Sequence, residues 1–323
     1  MLSQCIALKS GKATSVQNEG ERAMPGKVMD GRIVARKIRS QAKERVGALA
    51  GSSVKPYLAT IQVGDNPASR MYLKNKHAAC MDVGIMSRNI ELPANTTQQD
   101  LHRVILDLNE ETAVTGILLQ LPLPKGLDEV SAVSTIAPEK DVDGLHPYNL
   151  GLLAQNKADL VACTPKGVLA MLRYYRVKVA GSHAVVINRS KLVGRPLSQL
   201  LLNNDATVTV CHSKTEDLKE ICRQADILIA GIGRRSEFAV GADMIKRDAT
   251  VVDVGTSSVG GKLMGDVDFD AAIGVADYVS PVPGGVGPMT IAMLLYNTLL
   301  ASCLQNDVDV GFSADELKTA EPS

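Results

Sequence analysis

The stretch HAVVINRSKLVGRP, residues 183–196, decides the fold of the second half of the chain. Its first six residues predict a short Val/Ile-rich strand that ends at Asn188, and a helix is expected to begin near Arg195. Three further apolar strands follow, each ending in a polar or glycine-bearing turn: TVTVCH (207–212), DILIAGIG (226–233) and TVVDVG (250–255). Such strands, alternating with helices, predict a parallel sheet of the dinucleotide-binding type.

The first half of the chain predicts a second unit of the same class. Apolar residues recur at helical spacing over residues 31–49, and strands and helices then alternate: YLATIQV (57–63), a helix over 67–83, SRNIEL (87–92), a helix over 97–109 and TGILLQL (115–121). A last apolar helix covers 289–304. We therefore expect an α/β protein with two domains, which 323 residues are enough to build.

Composition argues against several classes of function. The chain has 35 basic and 35 acidic residues, so nothing indicates a nucleic-acid-binding surface or a strong attraction to anionic lipid. No apolar run reaches the roughly 20 residues that span a bilayer. The six cysteines lack C-x-x-C spacing, which argues against disulfides and a metal site. We expect a small-molecule ligand and a cytoplasmic location.

The two ends of the chain predict disorder. Residues 1–23 contain Lys9 and Lys12 but no sustained apolar core, and Glu19 with Glu21 is untypical of a transit peptide. We expect a disordered leader there and a disordered, polar tail over residues 307–323. A mitochondrial location is the alternative that the N-terminal extension leaves open.

The turn after the strand at 183–188 departs from the usual G-x-G-x-x-G. Only Gly194 is retained, while Asn188 tolerates the left-handed conformation better than most residues. On this pattern alone, nucleotide binding and a plain turn stay equally open. The next strand ends in His212, Ser213 and Lys214 without the acid that would bind an adenosine ribose in an NAD enzyme. With Arg189 near by, this favours NADP over NAD, and a solvated basic turn is the alternative.

Tyr72 and Lys76 lie four residues apart in a predicted helix and therefore share one face. A surface pair is the ordinary explanation of that spacing. Short-chain dehydrogenases also use a Tyr-x-x-x-Lys pair, but there the cofactor turn precedes the pair, whereas here the order is reversed. The pair alone leaves its role open.

Three polar residues follow or flank predicted strands in the first half. Gln120 lies at the end of a buried strand, where open parallel sheets bind ligands, although it could also be a strand cap. Asp141 and Asp143 lie in PEKDVDGL, between the two halves of the chain. On an extended chain their side chains point in opposite directions, so only one is expected to face a ligand. A surface turn is the alternative for both.

Seven motifs together resemble the bifunctional methylenetetrahydrofolate dehydrogenase/cyclohydrolase family. The resemblance runs from about residue 26 to residue 304, and the order and spacing of the motifs make it specific. The motifs are VGDNPASRMYLKNKHAACMDVGI (63–85), GILLQLPLP (116–124), PEKDVDGLHPYNLG (138–151), CTPKG (163–167), NRSKLVGRP (188–196), ATVTVCHSKT (206–215) and SPVPGGVGPMTIAMLL (280–295).

The resemblance implies a fold and an activity. Residues 24–164 and 289–306 would form a folate-binding catalytic domain, residues 165–288 a Rossmann-like NADP domain, and two chains a homodimer. Tetrahydrofolate derivatives would bind between the domains. The enzyme would oxidise 5,10-methylenetetrahydrofolate with NADP and hydrolyse the methenyl product to 10-formyltetrahydrofolate.

The resemblance also implies roles for residues. Lys76 would be the central cyclohydrolase residue, Tyr72 would stack on folate, Gln120 would contact the lysine, Asp143 would hold the pterin, and Ser69 would complete a polar cluster. Further substrate contacts would come from Leu119, Leu121, Pro283, Gly284, Gly285, Val286 and Gly287, and cofactor contacts from Asn188, Arg189, Ser190, Gly194, His212, Ser213, Gly231 and Thr256.

One position departs from the family, because Asn188 stands where a glycine is usual. A descendant that only binds folate or NADP is the alternative of a different class, and the retained Lys76, Gln120 and Asp143 argue for the enzyme.

Overall fold

The computed structural model describes residues 25–309 and residue 311, so the predicted leader and most of the predicted tail lie outside the described residues. The strands are β1 (Lys27–Val28), β2 (Tyr57–Val63), β3 (Met86–Leu92), β4 (Gly116–Leu119), β5 (His183–Ile187), β6 (Thr207–Cys211), β7 (Ile227–Ala230), β8 (Thr250–Asp253), β9 (Ser257–Val259), β10 (Lys262–Met264) and β11 (Tyr278–Val279). The helices are α1 (Gly31–Ala48), α2 (Pro67–Val83), α3 (Gln98–Glu110), α4 (Glu129–Thr135), α5 (Pro147–Ala154), α6 (Cys163–Tyr174), α7 (Gly194–Leu202), α8 (Leu218–Cys222), α9 (Phe269–Ala272) and α10 (Val286–Leu304).

Two parallel sheets organise the chain, as predicted. The first has the order β3-β2-β4, and the second has the order β1-β11-β8-β7-β5-β6, while β9 and β10 pair in an antiparallel hairpin. In the second sheet Ile187 pairs with both Cys211 and Ala230, and Ala230 pairs with Asp253. The last residues of β6, β5, β7 and β8 therefore stand in one row, and the turns that follow them share one edge.

The second sheet differs from the prediction in its outer strands. The sequence analysis found four strands, and the structure adds β11 and β1, each only two residues long. Two residues are too few to show an alternation of apolar and polar side chains, so these strands left no signal. Because β1 pairs with β11, residues 27–28 join the sheet of the predicted NADP domain rather than that of the catalytic domain.

Helix α10 begins at Val286, three residues before its predicted start. Pro288 lies in its first turn, where the absent N–H group would have had no partner within the helix. The predicted start at Met289 directly follows this proline, although a proline in the first helical turn is compatible with the helix.

Helix α10 packs between α1 and α6. It is long and apolar enough to span a membrane by composition, which the sequence analysis did not anticipate, but 67% of its apolar window is buried in the protein. Burial on this scale is typical of a core helix in a folded domain.

Asn297, in the middle of α10, is fully buried and joins three separate segments. Its Nδ2 donates to the carbonyl oxygens of Val142 and Val161, each at 2.9 Å, and its Oδ1 accepts from Lys166 Nζ at 2.9 Å. The first two segments are the chain just before Asp143 and just before α6. A buried amide with these partners fixes both ends of the stretch around α5, in the connection between the two sheets, relative to the core.

We expect Asn297→Ala to lower the free energy of unfolding by on the order of 3 kcal/mol, because two buried carbonyl groups and Lys166 lose their partner. Denaturant unfolding measures the change. Asn306→Ala is the matched control, since this exposed amide donates only to the Ser302 carbonyl. Equal stability of the two variants would contradict the role of Asn297.

Candidate active site

Helix α2 places Tyr72 and Lys76 on one face, at the carboxyl end of the first sheet. Tyr72 is 47% exposed, whereas Lys76 is half-buried. Lys76 Nζ donates to Gln120 Oε1 at 3.0 Å. Gln120 directly follows β4, and its Nε2 donates to the Leu121 carbonyl at 2.7 Å. The amide group therefore has a fixed orientation, with its oxygen toward the lysine.

Lys76 and Asp143 influence each other across the cleft. Burial lowers the pKa of the Lys76 amine, and the charge of Asp143 opposes that shift. Burial likewise raises the pKa of the Asp143 carboxyl, and the charge of Lys76 opposes it. Each group thus favours the ionised form of the other while the surroundings favour the neutral forms. Such an arrangement is typical of a site that moves protons.

The structure distinguishes the two acids of PEKDVDGL. Asp141 is 1% exposed, and its carboxylate accepts from the backbone N–H groups of Gly144 and His146 and from Asn149 Nδ2. It therefore holds the turn together. The half-buried Asp143 instead interacts electrostatically with Lys76, so the two acids differ in their surroundings, and the assignment of Asp143 to the ligand stays a prediction.

The start of helix α6 contributes a residue that the sequence analysis did not single out. The backbone N–H of Cys163 donates to the Asp143 carbonyl at 3.3 Å, and its buried thiol donates to the Val142 carbonyl at 3.3 Å. Next to it, the hydroxyl groups of Thr164 and Thr290 lie 2.9 Å apart, joining α6 to α10. The motif CTPKG had contributed to the family resemblance, but only the fold places its first residue against Asp143.

Ser69 lies one turn before Tyr72 and is 7% exposed. The hydrogen bond that the structure gives it runs from its backbone N–H to Asn66 Oδ1, at 3.3 Å. This contact caps the start of α2. Its membership of a polar cluster with Lys76 stays a prediction.

The loop of Pro283, Gly284, Gly285, Val286 and Gly287 lies beside Tyr72. Gly287 and Tyr72 line one groove of about 800 Å³ between α1, α2 and α10. Gly284 has φ +110°, which only glycine adopts without strain. On the other side of the site, Leu119 ends β4 and Leu121 lines the cleft toward α7. Of the predicted substrate residues, Gly287 thus shares a groove with Tyr72, Leu121 lines a separate pocket, and Leu119 and Val286 are buried.

The predicted cofactor residues lie along the carboxyl edge of the second sheet. Asn188 follows β5, and Gly194 begins α7 so close to it that a Cβ atom there would lie 2.2 Å from the Asn188 carbonyl oxygen. Ser190 Oγ accepts from the backbone N–H groups of Val193 and Gly194, at 3.1 and 3.4 Å. Arg189 is exposed beside this turn.

The neighbouring strand ends supply the remaining cofactor residues. After β6, His212 Nδ1 accepts from the Lys214 N–H at 3.1 Å, while Ser213 is exposed. Gly231 follows β7, and Thr256 is exposed beyond β8. An exposed guanidinium and an exposed hydroxyl on adjacent turns suit a phosphate, and the start of α7 suits a pyrophosphate. The residues present therefore fit a phosphorylated dinucleotide.

Metal-binding clusters of three or more His, Cys, Asp or Glu side chains do not occur among the described residues. The five cysteines in that part of the chain are buried and free, and Cys5 lies outside it.

The fold and the site define a two-domain α/β oxidoreductase with a ligand cleft next to a dinucleotide-binding sheet. The catalytic domain of the tetrahydrofolate dehydrogenase/cyclohydrolase family matches residues 29–143, and its NAD(P)-binding domain matches residues 162–306. The chain belongs to this family.

Known relatives are similar to this protein over most of the chain. The bifunctional protein FolD of Nitrosopumilus maritimus is 49% identical over 285 residues, which cover 88% of this chain and 99% of the relative. The FolD crystal structure from Campylobacter jejuni has 43% identity and a TM-score of 0.84, covering 86% of this chain and 99% of that one. The Trypanosoma brucei enzyme, solved with NADP and an inhibitor, has 40% identity and a TM-score of 0.83, covering 88% and 99%.

These matches confirm the family, the fold, the two enzymatic activities and the NADP cofactor that the sequence predicted. They leave the roles of individual residues and the exact domain bounds as predictions.

We expect Asp143→Ala to depress both activities, since both would use the same pterin anchor, and to weaken folate binding by roughly 1.5 to 3 kcal/mol. Asp141→Ala is the control. Because Asp141 binds backbone rather than ligand, its loss should lower the melting temperature and leave the Kd for folate in the folded fraction nearly unchanged. Calorimetric titration of both variants, together with thermal unfolding, measures this. A folate defect confined to Asp141→Ala would mean that the two acids have been assigned the wrong roles.

Proposed function

We propose that both reactions take place in one cleft and that Lys76 is needed for the hydrolysis but not for the hydride transfer. The observation that carries this proposal is the contact of Lys76 Nζ with Gln120 Oε1 at 3.0 Å, in surroundings that lower the pKa of the amine. Gln120 Oε1 accepts a hydrogen bond from the amine and so orients it. The charge of Asp143 opposes the effect of burial on the pKa of the amine, and we assign the Asp143 carboxylate to the pterin.

Binding of the substrate uses Asp143 and Tyr72. A pterin presents an N–H and an amino group side by side, and a carboxylate accepts from both through its two oxygens. The exposed ring of Tyr72, beside the 283–287 loop, provides a flat apolar surface on which the folate stacks. Substrate is thereby held between the first sheet and the loop that leads into α10.

The dehydrogenase reaction depends mainly on alignment. NADP, when bound, supplies the nicotinamide ring that accepts the hydride from the methylene carbon. Asn188, Ser190 and the start of α7 would hold the dinucleotide at the carboxyl edge of the second sheet, while Asp143 and Tyr72 hold the folate. No side-chain acid or base is required for hydride transfer, so correct placement of the two rings accounts for this step.

The cyclohydrolase reaction requires a base. The water oxygen bonds to the methenyl carbon while Lys76 Nζ, in its neutral form, takes a proton from that water. The bond from the carbon to ring nitrogen N5 then breaks as the formyl carbonyl forms. One of the water's protons ends on N5 and the other is released. The methenyl cation further lowers the pKa of the adjacent amine by like charge, which increases the neutral fraction.

We also propose that the enzyme acts in the cytoplasm as a homodimer, without nucleic-acid or membrane partners, and supplies formyl groups for purine biosynthesis. The five buried, free cysteines of the described residues fit a reducing compartment and support the location. The exposed side chains of Val259 and Leu263 on the β9–β10 hairpin offer an apolar surface for self-association. Light scattering of the purified chain tests the dimer, and microscopy of the tagged full-length chain tests the location.

We expect NADP to be preferred to NAD by at least about tenfold in kcat/KM, because Arg189 and Ser213 suit a 2′-phosphate. Ser213→Asp should reduce that preference, since a carboxylate repels the phosphate and accepts from ribose hydroxyls. Ser53→Asp, at an exposed position in the first half, is the control for added charge. Rates with each cofactor at sub-saturating concentration measure the ratio, and an unchanged ratio in Ser213→Asp would exclude this pocket.

We expect Lys76→Met to separate the two chemistries. Methionine keeps much of the apolar stem, so folate should still bind and NADPH should still form, more slowly if its placement shifts. Hydrolysis should fall to near the buffer background, and methenyl product should accumulate, as followed by its near-ultraviolet absorbance. Lys74→Met, an exposed lysine on the same helix, is the matched control. Hydrolysis at the wild-type rate in Lys76→Met would exclude the lysine as the base.

A further inference from the structure

Two buried carboxylates lie behind the cofactor edge of the second sheet, and neither has a role in the reactions described above. Asp266 is 0% exposed and Asp253 is 3% exposed. Both bind backbone N–H groups rather than a cation. Burial raises the pKa of the Asp253 carboxyl to about 6. Keeping two desolvated acids close together costs stability, so their positions call for a functional explanation.

Asp266 binds the turn that follows β7. Its carboxylate accepts from three consecutive backbone N–H groups, those of Ile232, Gly233 and Arg234; the bond to Gly233 is 2.9 Å and that to Arg234 is 3.3 Å. Consecutive N–H groups that converge in this way form a nest, which commonly binds an anion such as phosphate. Here the chain's own carboxylate occupies the nest. The turn is therefore fixed, and its N–H groups are not available to a ligand.

Asp253 binds the segment that carries Asp266. Its carboxylate accepts from the N–H groups of Asp266 and Val267, at 3.0 and 2.8 Å, and from Gly255 at 3.0 Å. The positions next to these two carboxylates are glycines, because a larger side chain there would collide with the carboxylate oxygens. A Cβ atom on Gly255 would lie 2.0 Å from Asp266 Oδ2, and one on Gly265 would lie 1.9 Å from Asp253 Oδ2.

Asn188 extends these contacts to the cofactor turn. Its Nδ2 donates to the carbonyl oxygen of Gly231, directly before the nest, and its Oδ1 accepts from the Ser190 N–H at 2.6 Å. The hydrogen bonds thus run without a break from β8 through Asp253, Asp266, the turn after β7 and Asn188 to the turn before α7. We call Asp253, Asp266 and Asn188 the edge network.

We propose that the edge network positions the dinucleotide-binding surface, with Asp266 as its central positioning residue. Through Asn188 it sets the Arg189–Ser190 turn, and through Gly255 it sets the approach to Thr256. Since the nest after β7 is filled, the phosphates of the dinucleotide bind at the start of α7. The amide of Asn188 supports this turn by hydrogen bonds to Gly231 and Ser190. This inference rests on the proposed function only in assigning the dinucleotide to this edge.

The test is Asp266→Asn, measured by NADPH binding and by the two activities separately. Asparagine has the same shape, but its NH2 group cannot accept, so at least one N–H of the nest loses its partner. We expect the Kd for NADPH, from fluorescence titration, and the KM for NADP to rise by about tenfold or more. The kcat should change less, and the hydrolysis of methenyltetrahydrofolate without NADP should stay within about twofold, because the folate site lies in the other domain.

Asp268→Asn is the matched control. Asp268 lies two residues further along the chain and caps α9 by accepting from Ala271 N–H, a role that asparagine fills equally well. We expect its NADPH affinity and melting temperature to match those of the unchanged chain.

Asn188→Gly tests the other end of the network and is a small change at a turn. We expect a rise of severalfold in the Kd for NADPH, with hydrolysis unchanged. Tighter NADPH binding would overturn this part of the proposal, because the amide would then obstruct the dinucleotide.

Further outcomes overturn the proposal as a whole. One is an unchanged Kd for NADPH in Asp266→Asn. Another is a parallel loss of NADPH binding, hydrolysis and melting temperature in both variants, which would show a role in folding alone. The proposed function fails separately, if the unchanged chain binds NADPH but neither oxidises methylenetetrahydrofolate nor hydrolyses the methenyl form.

Discussion

The hydrogen bonds of Asn297 are the constraint on which the rest of the structure depends. This amide lies in the middle of a helix that is otherwise almost wholly apolar, and it binds both ends of the stretch around α5, in the connection that leads from the first sheet to the second. A buried amide group without hydrogen-bond partners lowers the stability of the fold. Helix α10 therefore packs in the one position at which the Asn297 amide reaches its partners. Fixing Val142 fixes Asp143 one residue later, and fixing Val161 sets the start of α6. The position of Asp143, the proposed pterin anchor, thus depends on a helix that is distant from it in sequence.

Two opposing effects act on the pKa of the Lys76 amine. Burial destabilises the charged form of Lys76, Asp143 stabilises it, and Gln120 orients the group through a neutral contact. A lysine with an ordinary pKa would be fully charged at neutral pH and could not accept a proton from water. The burial of Lys76 and the charge of Asp143 therefore act in opposite directions on the pKa of this amine.

The two reactions make different demands on the fold, and the two sheets meet them separately. In the proposed mechanism, hydrolysis uses side chains on α2, directly after β4 and in the turn of Asp143, in the part of the chain built on the first sheet and α10. Hydride transfer requires a dinucleotide to lie still along the second sheet, whose edge is built from turns. Turns have few packing contacts of their own, so hydrogen bonds from buried carboxylates to backbone are an effective means of holding them. Under our proposal, the need to hold these turns in place explains why Asp253 and Asp266 are buried despite the loss of hydration.

The fold class could be predicted from the sequence, because apolar strands and amphipathic helices alternate along the chain. The sequence also names Tyr72, Lys76, Gln120 and Asp143 as candidates, and the structure shows the contact of Lys76 with Gln120, while their roles stay predictions. Features without a local sequence pattern are visible only in the folded chain: the two-residue strands β1 and β11, the backbone contact of Cys163 with Asp143, and the hydrogen bonds that make Asp141 a structural acid. The edge network was equally invisible in the sequence. Asp253, Asp266 and Asn188 are far apart along the chain, and a hydrogen bond between distant segments leaves no pattern in either of them.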